Sequence, residues 1–264
     1  MNEVIQVKNL SKDFGNFRAV DNISFQVKAA EIFGFLGPNG AGKTTTINIL
    51  CTLLMPTSGE VMVNGFNVVN FPDKVRRSIG IIFQDPSLDE RLTARENLNF
   101  HGMIYHLPPK TRKERIKEVL NMVGLYAKKD GIVRTFSGGM RRRLEIARGL
   151  MHRPKIMFLD EPTIGLDPQT RQYIWDYILS LSKEEGITMF LTTHYMDEAE
   201  ICQRVAIIDY GKIIALNSPQ QLKKEFRLGS LNEVFLKLTS HDIREEEANV
   251  KKQLGQVVRS MRLR

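Results

Sequence analysis

Apolar and polar positions alternate through the first third of the chain. Val4-Ile5-Gln6-Val7 and Ile23-Ser24-Phe25-Gln26-Val27 repeat with a period of two, and Glu60-Val61-Met62-Val63 runs into the turn signal Asn64-Gly65. These segments read as half-buried strands. Between them, Ile32 to Leu36 is unbroken apolar sequence, as expected of a short strand covered on both faces. It leads directly into Gly37-Pro38-Asn39-Gly40-Ala41-Gly42-Lys43-Thr44, after which Ile47, Leu50, Leu53 and Leu54 mark a helix. Ile79 to Phe83 is a further buried-strand segment.

From Thr93 to about His152 the period changes. Thr93-Ala94-Arg95-Glu96 has the form of a capping box, and apolar residues recur at Leu98, Met103 and Ile104. Pro108-Pro109 interrupts the chain, and Ile116, Val119, Leu120 and Val123 mark the next amphipathic helix. This helical stretch, about residues 91–153, reads as a subdomain inserted into an α/β core. The core resumes with Ile156 to Asp160, a helix around Ile174-Trp175-Tyr177-Ile178, a strand from Ile187 to Thr192, and a strand from Val205 to Asp209. Strands alternating with helices predict a mostly parallel sheet. After Ser218-Pro219 the pattern is helical. In 241–264, Ile243, Val250, Leu254, Val257 and Met261 form a rough stripe with acids early and bases late. Such a helix would cover the core or pair with another subunit.

Composition narrows the class. With 264 residues, 42% hydrophobic and 26% charged, the chain can bury a sizeable core, which excludes disordered, collagen-like and disulfide-stapled architectures. Cys51 and Cys202 are far apart and read as reduced packing thiols. No basic region followed by an apolar stretch opens the sequence, and no run of 18 apolar residues occurs, so a cytoplasmic protein is expected. The net charge of +8 is concentrated: Arg91 to Lys155 contains 16 Lys/Arg against 5 Asp/Glu. That patch could face nucleic acid, anionic lipid or an acidic protein, or be a solvated helix face.

The chemistry begins at Gly37-x-x-x-x-Gly42-Lys43-Thr44, a P-loop pattern between a strand and a helix. Its glycines let successive backbone N–H groups face a phosphate, and the helix adds the positive end of its dipole. Lys43 can reach the β- and γ-phosphates, and the Thr44 hydroxyl can ligate Mg²⁺. Ile156-Met157-Phe158-Leu159 ends in Asp160-Glu161, where one carboxylate can hold Mg²⁺ and the other can polarise water. A second anion-binding helix start follows from Phe136-Ser137-Gly138-Gly139-Met140, ahead of Arg141-Arg142-Arg143-Leu144-Glu145-Ile146-Ala147-Arg148.

With these elements the chain resembles the ATP-binding cassette (ABC) ATPases, whose signature reads Leu-Ser-Gly-Gly-Gln. The resemblance covers about residues 3–238. It also rests on Gln84 after Ile81-Ile82-Phe83, on Gly165-Leu166-Asp167, and on His194 in Thr192-Thr193-His194-Tyr195-Met196-Asp197-Glu198-Ala199. It implies a P-loop NTPase core with a mostly parallel sheet, an N-terminal antiparallel β subdomain and the inserted α-helical subdomain. Residues 1–238 would form the ATPase domain and 239–264 a C-terminal helical extension.

The resemblance further implies ATP and Mg²⁺ as ligands. Gly37, Pro38, Asn39, Gly40, Ala41, Gly42, Lys43, Thr44 and Thr45 would cradle the phosphates, and Thr44, Gln84 and Asp160 would hold the metal. Glu161 would be the general base, His194 the γ-phosphate contact, and Gln84 the contact to metal or attacking water. Phe14 occupies the place of a Tyr that stacks on adenine, keeping the aromatic face without the hydroxyl. Ser137, Gly138 and Gly139 would meet the ATP of a second ATPase subunit, a copy or a paralogue, with Asp167 crossing that interface. Phe136 and Met140 depart from the signature's Leu and Gln. The backbone donors and Ser137 are retained; a contact from the Gln side chain is what the change puts in question. The Ser137–Ala147 and Glu161–Arg171 segments look most like the daunorubicin-resistance type. Those resemble partners of separate ABC-2-type membrane permeases, which places the chain peripherally on the inner face of the cell membrane, with no nucleic acid expected. The other readings are an ABC-type ATPase acting on DNA or ribosomes, and a small-molecule P-loop kinase, which would leave the signature and His194 unexplained.

Overall fold

The period-two segments become strands longer than the apolar positions alone suggest. In the computed structural model, which describes residues 2–84 and 87–239, β1 (Glu3–Phe14) and β2 (Phe17–Lys28) form a hairpin. With β4 (Ser58–Val63) and the short β5 (Phe66–Asn67) they make an antiparallel sheet in the order β2-β1-β4-β5. The helix expected over 241–264 lies outside the described residues.

The second sheet has six strands: β3 (Ile32–Leu36), β6 (Ile79–Ile82), β7 (Ile156–Asp160), β8 (Thr188–Thr193), β9 (Arg204–Asp209) and β10 (Lys212–Asn217). Their order is β10-β9-β3-β8-β7-β6, parallel except for the β10–β9 hairpin. Successive side chains of a strand point to opposite faces, and the core divides accordingly. Ile32, Leu36, Met157, Leu159, Met189 and Leu191 enter one apolar cluster; Phe33, Phe35, Ile156, Phe158 and Phe190 enter the other. In the second, Phe25 of the antiparallel sheet stacks on Phe33 with ring centroids 5.7 Å apart, joining the two sheets.

Helix α1 (Lys43–Leu50) follows β3, and α2 (Pro72–Ser78) precedes β6. Between β6 and β7 lie α3 (Ala94–Ile104), α4 (Pro109–Met122) and α5 (Gly138–Gly149). After β7 come α6 (Pro168–Glu185) and the short α7 (Met196–Ala199), and the chain continues through α8 (Pro219–Phe226) to α9 (Leu231–Thr239). The capping box forms as expected: Glu96 N donates to Thr93 Oγ1, and the Glu96 carboxylate accepts from Thr93 N at 2.8 Å.

Several sequence expectations shift. Helix α1 stops at Leu50 because Thr52 takes a left-handed φ of 64°, so Leu53 is exposed rather than helical core. Met103 and Ile104 face outward with Phe100, whereas Leu98 is buried. β8 begins at Thr188, one residue after Ile187, and α9 runs one residue past 238. The basic stretch is not all surface: Arg115 and Arg142 are buried, with Arg115 donating to the Leu150 and Met151 carbonyls at the end of α5. Cys51 and Cys202 are buried free thiols, and burial pushes both thiol pKa values up. Among the described residues no helix is long and apolar enough to cross a membrane.

Candidate functional site

Four neighbouring parallel strands, β6, β7, β8 and β3, deliver the candidate residues at their carboxyl ends, where open α/β sheets present loops to ligands. β3 leads into the P-loop, β6 into Gln84, β7 into Glu161 and β8 into His194. Lys43, Thr44, Thr45, Asn39, Gly40, Gly42, Gln84, Glu161 and His194 line one cavity of about 490 Å³, with Phe14, Phe17, Ala19 and Ile164. Residues as far apart in the sequence as Phe14 and His194 thus converge.

The P-loop's shape depends on its glycines at two points. A Cβ on Gly37 would lie 2.3 Å from the Ile208 carbonyl oxygen, and Gly42 combines a φ of 106° with an approach of 2.6 Å to the Ala19 carbonyl. The loop wraps the Lys43 ammonium, which donates to the carbonyls of Gly37 at 2.8 Å and Pro38 at 3.0 Å. Burial lowers the Lys43 pKa, while Glu161 and Asp160 act to raise it. Gly37 and Ala41 are buried beneath the loop, and Thr44 is exposed at its end.

Thr192 ties the Asp160 carboxylate to the Glu161 main chain. Its hydroxyl donates to Asp160 Oδ1 at 2.5 Å and accepts from Glu161 N at 3.1 Å. Burial raises the Asp160 pKa, opposed by the Thr192 bond and by Lys43 and Arg142. A buried carboxylate with its charge disfavoured is a place where a cation is welcome. Glu161 has a φ of 47°, outside the ordinary range for a non-glycine residue, and its Oε1 lies 3.1 Å from His194 Nδ1. An ionised Glu161 requires the proton on Nδ1, so Nε2 becomes a donor only in the doubly protonated ring. Among the described residues there is no group of three or more His, Cys, Asp or Glu fit to hold a metal. Thr44 and Gln84 line the cavity and Asp160 is buried at the end of β7, outside that lining; a Thr, a Gln and an Asp would offer a sparse set of oxygen donors. Such a set fits Mg²⁺, which keeps waters and takes phosphate oxygens.

The signature lies elsewhere. Ser137 caps α5, accepting from Met140 N at 3.3 Å, and lines a separate cavity of about 220 Å³ with Gly139, Met140, Arg143, Gln169, Thr170 and Tyr173. No residue lines both cavities. Gly139 has a local reason besides phosphate access, since a Cβ there would meet Thr170 Cγ2 at 2.5 Å. Asp167 caps α6, accepting from Thr170 N at 3.0 Å, and the Thr170 bonds lower its pKa. Gly138 borders neither cavity closely, with open space where a Cβ would stand apart from Leu166 at 3.9 Å. Met140 is partly buried against the core.

Sequence reasoning missed Phe17, which pairs with Phe14 at the hairpin tip and doubles the exposed aromatic surface at the cavity mouth. The Phe-x-x-Phe spacing around Gly15-Asn16 was the available signal. It also missed Thr192, Arg142 and Glu198. The last is buried and accepts from the hydroxyls of Thr163 and Thr193, tying the segment after Glu161 to the one before His194. Another cavity, about 420 Å³ along α3 and α4, is lined by Arg95, Glu96, Lys113, Lys117, Tyr126 and Lys129 and has no glycine in its lining.

This geometry agrees with comparison to known proteins. The family model described as "ABC transporter" matches residues 20–164. Daunorubicin/doxorubicin resistance ATP-binding protein DrrA of Streptomyces peucetius is 43% identical over 239 residues, covering 90% of this chain and 71% of that protein. The ABC transporter ATP-binding protein YbhF of Escherichia coli (strain K12) is 41% identical over 251 residues; the match takes in 93% of this chain but only 43% of YbhF. Among solved structures, an ATP-binding subunit of an ABC transporter superposes with a TM-score of 0.80 at 28% identity, over 89% of this chain and 99% of that one. The ATP-binding cassette MJ0796, a dimer in a post-hydrolysis state bound to ADP and Pi, gives 0.73 at 30% identity, over 81% and 98%. P-loop, paired carboxylates, signature and histidine thus sit on the cassette fold, in a sequence more than 40% identical to such proteins, and the chain belongs to the ABC transporter family of ATP-binding proteins.

Proposed function

We propose that this chain binds ATP with Mg²⁺ in the Lys43 cavity and hydrolyses it. Head-to-tail closure of two such cassettes then drives export through separate ABC-2-type membrane subunits. The observation that carries this reading is the separation of the two phosphate-binding helix starts. Lys43 and Glu161 line one cavity and Ser137 and Gly139 another, so a signature acts on nucleotide only when a second chain, copy or paralogue, presents it.

In this reading Phe14 and Phe17 flank the base, and the P-loop N–H groups and Lys43 hold the phosphates. Thr44, Gln84 and Asp160 would hold Mg²⁺, which when bound would offset phosphate negative charge. Glu161 takes the proton of the attacking water, and His194, hydrogen-bonded to Glu161, contacts the γ-phosphate. Ser137, Gly138 and Gly139 complete the partner's site, and Asp167 lies at the joint. Helices α3 to α5 act as the subdomain that meets the membrane subunits, with the remaining surface bases toward acidic loops or lipid headgroups on the inner face of the membrane.

Export is supported by DrrA, a resistance protein by name, and by the linearmycin resistance ATP-binding protein LnrL of Bacillus subtilis (strain 168), 42% identical over 243 residues. The burial of Arg115 and Arg142 weakens the case for a nucleic-acid face. Recovery of the tagged chain from its own membranes in mild detergent tests the proposal. Co-purification with polytopic subunits and ATP-dependent transport that Glu161→Gln abolishes are expected. An ATPase recovered on ribosomes or DNA, without membrane subunits, would overturn it.

A further inference from the structure

Three consecutive arginines follow the signature, and one of them is buried. Arg142 is 7% exposed, and each of its five N–H donors has an acceptor. Nε donates to the Pro162 carbonyl at 2.6 Å. Nη1 donates to the Phe83 carbonyl at 2.7 Å and to Glu145 Oε2 at 2.9 Å, and Nη2 to the carbonyls of Glu161 at 3.2 Å and Asp160 at 3.3 Å. Four of the five acceptors are therefore main-chain oxygens. Three belong to consecutive residues around Glu161, and the fourth belongs to the residue before Gln84.

The second carboxylate oxygen extends the arrangement. Glu145, 2% exposed, accepts from Ser87 N at 2.9 Å through Oε1. The chain on both sides of Gln84 is thus fastened to α5 by one ion pair, at Phe83 through Arg142 and at Ser87 through Glu145. The same guanidinium holds the turn in which Glu161 adopts its φ of 47°. A glutamate stays in that conformation only where its surroundings fix it.

We propose that Arg142 is a positioning residue for hydrolysis: its planar fork sets the Glu161 turn and the Gln84 segment at one separation, so that both meet the γ-phosphate together. It touches neither nucleotide nor water and acts through the main chain of the residues that do. Because Ser137 caps α5, the fork also ties the helix that would face the partner's nucleotide to the general base of its own site. Lysine could not substitute, since a single ammonium cannot span acceptors on two loops. The inference rests on Glu161 being the general base.

The test uses the full chain with its native partners, comparing Arg142→Lys, Arg142→Gln and Glu161→Gln. Steady-state turnover is measured per nucleotide site, the number of sites being counted with a fluorescent ATP analogue. Arg142→Lys keeps the charge and most of the volume, and serves if Arg142→Gln does not fold. The expected result is a fall in kcat of about 100-fold, the scale of a displacement of about 1 Å, with KM and analogue affinity changed less than about threefold. Turnover per site within about threefold of wild type in Arg142→Lys, beside arrest in Glu161→Gln, would overturn the role of Arg142 and leave Glu161 as the base. A parallel change in kcat and KM would equally overturn it. Normal turnover in Glu161→Gln would instead remove the base on which the inference stands.

Discussion

Glu161 Oε1 and His194 Nδ1 lie 3.1 Å apart, although 33 positions separate the two residues. Their meeting follows from β7 and β8 pairing in parallel with Asp160 opposite Thr192. Parallel neighbours end on the same edge of the sheet, so the residues that follow them share one rim. His194 is thereby within hydrogen-bond distance of the Glu161 carboxylate.

Glu161→Gln keeps the shape of the side chain but loses its basicity. ATP affinity should remain within a few-fold of wild type, and turnover should fall by at least about 100-fold. Size-exclusion chromatography with ATP should then show a trapped dimer. Near-normal turnover would show that another group takes the proton.

Lys43→Ala should abolish productive ATP binding, because it removes the ammonium held between the Gly37 and Pro38 carbonyls. Lys43→Arg should fail as well: a planar fork does not fit a pocket built around a point charge. Titration with a fluorescent nucleotide reads both variants. Binding by Lys43→Arg at wild-type affinity would contradict this account of the loop.

The division of the site between chains gives a crosslink. Asn39 is exposed on the P-loop, and a Cβ on Gly138 would meet only Leu166, at 3.9 Å. Cysteines at Asn39 and Gly138 should therefore be tolerated, whereas Gly42 and Gly139 have backbone or Thr170 in the way. Native Cys51 and Cys202 are buried and should stay silent. In the Glu161→Gln background, ATP should promote disulfide formation between two chains. Bonding within a single chain alone would count against the head-to-tail arrangement.

Acid should destabilise the fold through His101 and His152, whose rings pack with Tyr105 where α3 and the end of α5 meet β6. Burial lowers their pKa values to about 3 and about 4, with Arg148 adding to the effect on His101. Both lie below the 6.5 of an exposed imidazole, so the unfolded chain binds more protons between those values. Stability is then fully present above about pH 6.5 and falls as pH drops toward 4, by on the order of 1 kcal/mol per pH unit for each ring. Melting temperatures between pH 7 and 5 measure the slope. His101→Phe, which keeps the aromatic packing, should flatten it, and an unchanged slope would assign the acid sensitivity elsewhere.

Most of the Lys43 cavity was legible because its parts are local. A strand, a glycine loop and a helix are neighbours in the chain, and backbone N–H groups bind phosphate without help from distant residues. The cap at Thr93 and the apolar run before Asp160 were readable for the same reason. Phe100, Met103 and Ile104 were not, since an apolar residue on a helix face does not reveal whether another element covers it. Arg142 was hidden in a run of bases that looked uniformly solvated, and only its burial distinguishes it from Arg141 and Arg143.

By itself, then, the sequence determined the elements whose physics is local: strand periodicity, helix caps, and the glycine turns at Gly37–Thr44 and Ser137–Gly139. Tertiary structure decided which of these act together. It put Glu161 beside His194, set Thr192 between the Asp160 carboxylate and the Glu161 main-chain N–H, closed Arg142 over four carbonyls, and kept Ser137 in a different cavity from Lys43. These relations depend on strand order and on which polar groups lack partners once the sheet is built. Neither is encoded in the spacing of residues along the chain, because hydrogen-bonding groups left over at strand ends are satisfied by whatever the fold brings within reach.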